Sequence, residues 1–191
     1  MSLRVEVLCT GWIIKEHGMV VEAHSTSSVV LGGKDVIVVD TSDGVMRREI
    51  EHNLERLGLV PEDISVVVST HLHHDHVSND DLFPRARKIA HEGEGPASGR
   101  EMMKEDELQL GAGIRIVHTP GHTRGAVSVF VEADKRIVIA GDALPTKDNY
   151  VKMVPPGLNY DPELAMESIR KIVGWADVVV PGHGPPFMVR H

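Results

Sequence analysis

The order of elements in this sequence predicts a mixed α/β (α+β) fold, with two sheets packed face to face and helices over both outer faces. Two observations carry that reading. Short β-branched runs followed by a helix occur twice along the chain, and the strand at Ser65–Ser69 is apolar almost throughout, as suits a sheet covered on its faces. Several α/β layouts satisfy the same periodicity, and the pattern alone does not choose among them.

Each element has its own justification. Val5–Leu8, Ser27–Leu31 and Val36–Val39 are short β-branched runs, and Gly32-Gly33 marks a turn between the last two. A helix is expected from about Asp43 to Leu57, because Met46, Ile50, Leu54 and Leu57 fall three or four apart and Gly58 supplies a C-terminal stop. Pro61-Glu62-Asp63 then leads into Ser65–Ser69. The second half offers strands at Lys88–Ala90, Ile114–Val117, Val127–Val131 and Ile137–Ala140. A helix over Pro162–Val173 takes Asp161 as its N-cap and Pro162 at its first position, where a missing N–H leaves no bond unmade. Val178–Val180 is the final strand. The turn-rich stretches Gly93–Gly99 and Pro145–Asn159 read as surface loops near the site.

With no repeat or low-complexity tract, residues 1–191 are expected to form one domain. No apolar run approaches the ~18–20 residues of a membrane span, and nothing at the N-terminus reads as an export signal, so a cytoplasmic protein is expected. The formal net charge of −8 argues against a nonspecific nucleic-acid partner, although bound metals could supply local positive charge to a nuclease. Aromatic residues, at 4%, leave little for stacking on bases. The single cysteine, Cys9, excludes an intrachain disulfide and a Cys-rich zinc site, and its apolar neighbours make it a buried thiol. The expected partner is a small-molecule substrate; homodimerisation stays open.

Twelve histidines are distributed unevenly. His71-Leu72-His73-His74-Asp75-His76 follows the strand at Val66–Val68, where a loop can fan several side chains toward one point. Imidazole nitrogens and carboxylate oxygens are good ligands for zinc and other borderline divalent metals. Three further His/Asp positions stand at strand ends beside glycines: His122 after Gly121, Asp142 after Gly141 and His183 after Gly182. Glycine permits close backbone approach and unusual φ/ψ, which suits a crowded polar site.

Asp40 ending a strand, the His71-x-His73-x-Asp75-His76 run, His122, Asp142 and His183 together resemble the five ordered motifs of the metallo-β-lactamase superfamily, over about residues 25–187. The resemblance implies the four-layer αββα sandwich, with the site at one edge between the sheets. It implies two divalent ions, zinc by default with iron or manganese as alternatives. Carried over, the pattern places His71, His73 and His122 on the first ion and Asp75, His76 and His183 on the second. Asp142 would bridge them, and Asp40 would support the ligand loop without touching metal. His74 takes the variable position. An imidazole at His73, where the superfamily's flavin-partnered diiron reductases have a carboxylate, implies hydrolysis.

The implied reaction is attack by a metal-bridging hydroxide on a small-molecule ester, thioester or lactone, with Asp75 as the catalytic group that orients the nucleophile and relays a proton. Alternatives are a phosphodiesterase or ribonuclease, a mononuclear iron persulfide dioxygenase and a non-catalytic metal-binding module. Local similarity over Val66–Glu92 is to the compact metallo-β-lactamase domain-containing protein 1 group. Arg124 and Tyr150 are candidate substrate contacts, set against a surface salt bridge and ordinary packing respectively.

Overall fold

The computed structural model describes residues 2–17 and 19–190. The N-terminal half carries β1 (Arg4–Cys9), β2 (Trp12–Glu16), β3 (Met19–His24), β4 (Ser27–Leu31), β5 (Ile37–Val39), α1 (Arg47–Arg56), β6 (Val66–Val68), α2 (His74–Val77) and β7 (Arg87–His91). The remainder carries β8 (Glu101–Met103), β9 (Glu107–Gly111), β10 (Ile114–His118), β11 (Val127–Glu132), β12 (Arg136–Gly141), α3 (Lys147–Lys152), α4 (Pro162–Trp175), β13 (Val178–Pro181) and β14 (Phe187–Met188). Among the described residues the strands form two six-stranded sheets, ordered β1-β4-β5-β6-β7-β8 and β14-β13-β12-β11-β10-β9, and a separate β2–β3 hairpin.

Strand alternation assigns each apolar residue to a layer. Ile37, Val39, Val66 and Val68 of the first sheet meet Val127, Val129, Val131 and Ile139 of the second in the central core. On the opposite faces, Val38 and Val67 pack under Ile50 and Leu54 of α1, while Phe130, Val138 and Val179 pack under Ile169 and Ile172 of α4. Helix, sheet, sheet, helix is therefore the layer order, the one the resemblance implies.

Capping follows the local chemistry. Asp161 accepts hydrogen bonds from the backbone N–H groups of Glu163 and Leu164, with Pro162 at the first helical position. Gly58 takes φ +74° just past α1, and Leu59 N–H reaches back to the Leu54 carbonyl at 3.0 Å, a left-handed stop that a side chain would strain. Several elements differ from expectation. The segment from Asp43 begins as a 3-10 turn, Gly44–Met46, before α1. Residues 74–77 of the His-rich run are helical, not loop. α3 lies inside the stretch read as loop from Pro145 to Asn159; this six-residue helix buries none of its residues, so it carries no apolar stripe. The β2–β3 hairpin escaped the strand reading because it is mostly exposed and lacks a clean two-residue alternation.

Candidate metal centre

Strand direction gathers the polar groups. β5 and β6 are parallel, as are β12 and β13, and β10 and β12 both run antiparallel to β11. The residues that follow β5, β6, β10, β12 and β13 thus emerge at one edge of the sandwich, carrying Asp40, His71–His76, His122, Asp142 and His183. Cross-links hold the loops together: Thr41 N–H donates to the His76 carbonyl at 2.8 Å, Thr26 N–H to Gly182 at 2.7 Å and Val127 N–H to Thr70 at 2.8 Å. Gly182 is needed there, since a Cβ at that position would stand 2.0 Å from Asp142 Oδ1.

Three groups of side chains, each with its ligand atoms within 4.8 Å of one another, meet at this edge: His71, His73 and His122; His71, His76 and Asp142; and Asp75, His76 and His183. His73 Nδ1 lies 3.0 Å from both His71 Nε2 and His122 Nε2. Asp142 stands between the clusters. Its Oδ2 is 3.5 Å from His122 Nε2, while its Oδ1 is 3.2 Å from His183 Nε2 and 3.5 Å from His76 Nε2. Asp75 Oδ2 lies 3.7 Å from the Nε2 atoms of His76 and His183. His74 is exposed, away from this convergence.

The rear nitrogens are held from behind, which sets the tautomers. His122 Nδ1–H donates to the Leu158 carbonyl at 2.7 Å and His183 Nδ1–H to the His24 carbonyl at 2.8 Å. His76 Nδ1–H donates to Asp40 Oδ2 at 2.7 Å. Asp40, at φ +56° and buried, also accepts from the Thr70 N–H and hydroxyl, both at 2.7 Å. Each of these three imidazoles therefore turns its Nε2 to the interior. Sequence reasoning could not name Leu158 or His24 in these roles, because a backbone carbonyl leaves no side-chain signature.

Charge divides the site in two. Burial, then the neighbouring His76, holds the His71 imidazole well below its ordinary pKa; burial and His122 lower His73. Burial also opposes the charged forms of His76 and His183, yet Asp40 and Asp142 raise the first well above the usual range and Asp142 raises the second. Burial likewise opposes ionised Asp142, and the imidazoles of His183 and His76 outweigh it, keeping the carboxyl well below the usual carboxylate range.

A divalent cation fits these residues. His76 Nε2 and Asp142 Oδ1 are buried side-chain atoms without a hydrogen-bond partner, an arrangement proteins avoid unless something else satisfies the atoms. The donor set is wholly imidazole nitrogen and carboxylate oxygen, within the range that binds borderline divalent ions. A cavity of about 500 Å³ opens onto the cluster, with His73, Asp75, His122, Asp142 and His183 at its floor. Ile13, Met19, Val20 and Ala23 of the β2–β3 hairpin and Leu158 form an apolar wall, and Lys15 is its one Lys or Arg among the described residues.

Arg124 and Tyr150 are not brought to this cavity. Arg124 is exposed, its guanidinium 5.6 Å from the Tyr160 ring, without the surface salt bridge among the described residues. Tyr150 stacks on Phe187 at 5.4 Å and its hydroxyl accepts from Arg190 N–H at 2.9 Å. The lining comes instead from the hairpin, which the sequence pattern did not reveal, and from Pro145, Pro156 and Leu158 of the stretch expected near the site.

The family model described as the metallo-beta-lactamase superfamily matches residues 21–110 and 103–183. The chain belongs to the metallo-β-lactamase superfamily, as a metal-dependent hydrolase. A protein of Methanocaldococcus jannaschii, described as a probable metallo-hydrolase, is 39% identical over 95% of this chain and 87% of its own. Metallo-β-lactamase domain-containing protein 1 of Mus musculus is 35% identical over 96% of this chain and 74% of its own. Among solved structures, a metallo-β-lactamase-fold protein of Thermotoga maritima superposes with a TM-score of 0.80 at 23% identity, covering 98% of this chain and all of the other, a likeness of fold. Membership implies divalent-metal binding. No helix among the described residues is long and apolar enough to cross a membrane.

Proposed function

We propose that this protein hydrolyses a small-molecule ester, thioester or lactone at a two-ion centre, with zinc as the metal and iron or manganese as alternatives. One observation carries the proposal: Asp142 turns one carboxylate oxygen toward His122 and the other toward His76 and His183, the placement a bridging ligand needs. In this reading His71, His73 and His122 hold the first ion, Asp75, His76 and His183 the second, and Asp142 both. Divalent ions bound there supply Lewis acidity and an activated water at neutral pH.

The chain's own residues do the remainder. Asp75, half-buried at the cavity floor, orients the attacking water and carries its proton toward the leaving group. Asp40 keeps His76 in the tautomer with Nε2 forward. The apolar hairpin wall and Leu158 receive an acyl chain and exclude bulk water from it. A wall with one lysine supports a small molecule over a polyanionic strand, whose binding draws on many cationic contacts. An N-acyl homoserine lactonase of Bacillus sp. is 32% identical over 62% of this chain and 54% of its own, which supports including lactones. Candidate ligands contributed by both sheets support residues 1–191 working as one domain.

Metal analysis of protein purified without added metal, followed by a panel of thioesters, lactones, phosphodiesters and persulfides, tests the reading. Two zinc ions per chain and turnover of a lactone or thioester are expected. Turnover confined to phosphodiesters or persulfides would overturn the substrate class, and one ion or none would overturn the two-ion centre.

A further inference from the structure

Glu94 sits in the stretch after β7, outside every motif described above. It ends a 3-10 turn, Glu92–Glu94, capped by His91, whose Nδ1 accepts from Gly93 N–H at 3.0 Å. Its carboxylate then touches both segments that carry the first ligand cluster. Oε2 accepts from Leu72 N–H at 3.0 Å, between His71 and His73. Oε1 accepts from the Thr123 hydroxyl at 2.5 Å and from Gly125 N–H at 3.0 Å, just beyond His122.

The two backbones are built to meet. A Cβ on Gly125 would stand 2.4 Å from Glu94 N, and one on Gly93 would stand 2.8 Å from the Arg124 carbonyl. Beneath the contact, His91 stacks on His118 at 4.0 Å and 13°, and His118 Nε2–H donates to the Arg124 carbonyl at 2.9 Å. Tight glycine contacts on both segments of the junction hold the two backbones close, with the carboxylate aimed at three donors.

We propose that Glu94 is a positioning residue that clamps the His71–His73 and His122 segments together and so sets the geometry of the first cluster. The clamp itself rests on the three hydrogen bonds alone, and its consequence for metal on the metal-centre reading above. Only a carboxylate serves here. Two acceptor oxygens can take three N–H and O–H donors on opposite sides, whereas a glutamine amide has one acceptor end and one donor end. Glu94→Gln therefore keeps the shape and faces an N–H₂ toward either Leu72 N–H or Gly125 N–H, releasing one segment. The second cluster is held by other groups, Asp40 and the His24 carbonyl, and should not feel the change.

Zinc titration of wild type and Glu94→Gln, followed by NMR of the histidine ring nitrogens, separates the clusters through His122 and His183. The His122 half-point should weaken by about 10–100-fold, with the His183 half-point moving less than about two-fold, as removal of a supporting partner usually acts. Equal weakening at both reporters, or none at either, overturns the proposal. Amide hydrogen exchange in metal-free protein gives an independent reading: Leu72 or Gly125 should lose protection in the variant, and unchanged protection at both overturns the clamp. Because exchange needs no metal, a wild type that takes up no zinc would sink the metal-centre reading while leaving the clamp decided. If Glu94→Gln fails to fold, Thr123→Val removes one donor of the three, and an unmoved His122 ring signal in that variant overturns the proposal.

Discussion

The two halves of the candidate centre are made of different chemistry, though they share Asp142. The first is three imidazoles, two of them pushed by burial toward their neutral, lone-pair-bearing forms. The second adds the Asp75 carboxylate to His76 and His183, whose imidazoles are drawn toward protonation by neighbouring carboxylates. The difference teaches how one edge of a sandwich can offer two unlike cradles. Nitrogen-rich donors suit zinc, while carboxylate donors admit harder ions such as manganese. The support differs as well: the Leu158 carbonyl and Glu94 stand behind the first cluster and the His24 carbonyl behind the second, while Asp40 holds His76 directly and reaches His71 only through Thr70.

Breaking the shared member should have the largest effect. On the proposed two-ion centre, Asp142→Ala should release both ions and lower turnover by about 10³-fold or more, since a catalytic metal is worth several kcal/mol. Metal content and kcat measured together check this, and a variant retaining two ions would dissolve the link between the clusters. Asp40→Asn should act more strongly on one side than on the other. It turns an amide N–H₂ toward His76 Nδ1 or toward Thr70, whose hydroxyl lies 3.2 Å from His71 Nδ1, so affinity at the second cluster should fall by about 10–100-fold and at the first by less. Competition with a chromophoric chelator reads both constants, and equal losses would contradict the division.

A third change should weaken both halves through the fold instead of through either cluster. Arg100 donates to the Ser69 hydroxyl at 2.6 Å and pairs with Asp80, which also accepts from Thr41 at 2.9 Å. Burial pushes the Asp80 carboxyl up, and Arg100 offsets part of that. Arg100→Ala strands a largely buried carboxylate and should cost about 3 kcal/mol, or ~6–12 °C in Tm, measured by calorimetry on metal-free protein.

The smallest effect lies away from the centre. Burial pushes the Cys9 thiol from 9.0 up to about 12. A raised acid pKa means the stabilising neutral form is fully present below about pH 9, and that contribution is lost as pH climbs toward 12. Folded protein should resist iodoacetamide at pH 8, and Cys9→Ala should flatten the alkaline limb of the stability curve. Rapid alkylation of the native state would refute the burial argument.

Much of the architecture was legible because apolar periodicity reports burial directly. Ile50 and Leu54 mark the buried face of α1, and Asp161-Pro162 marks the start of α4. The β2–β3 hairpin and α3 were not legible, since elements that bury little surface leave little pattern. Arg124 and Tyr150 show the same limit at the site. Their positions after His122 and Asp142 said nothing about which way the side chains turn, and the chain packs one against Tyr160 and the other against Phe187.

Residue type and order by themselves determined that imidazoles and carboxylates would stand at strand ends, because ligand chemistry and glycine-flanked turns are local properties. Only the tertiary structure decided which atoms face each other: that Asp142 divides its two oxygens between clusters, that backbone carbonyls of Leu158 and His24 orient two rings, and that Glu94 reaches two loops at once. These contacts join residues separated by up to 159 positions. They depend on strand direction and sheet packing, which no short window of sequence encodes.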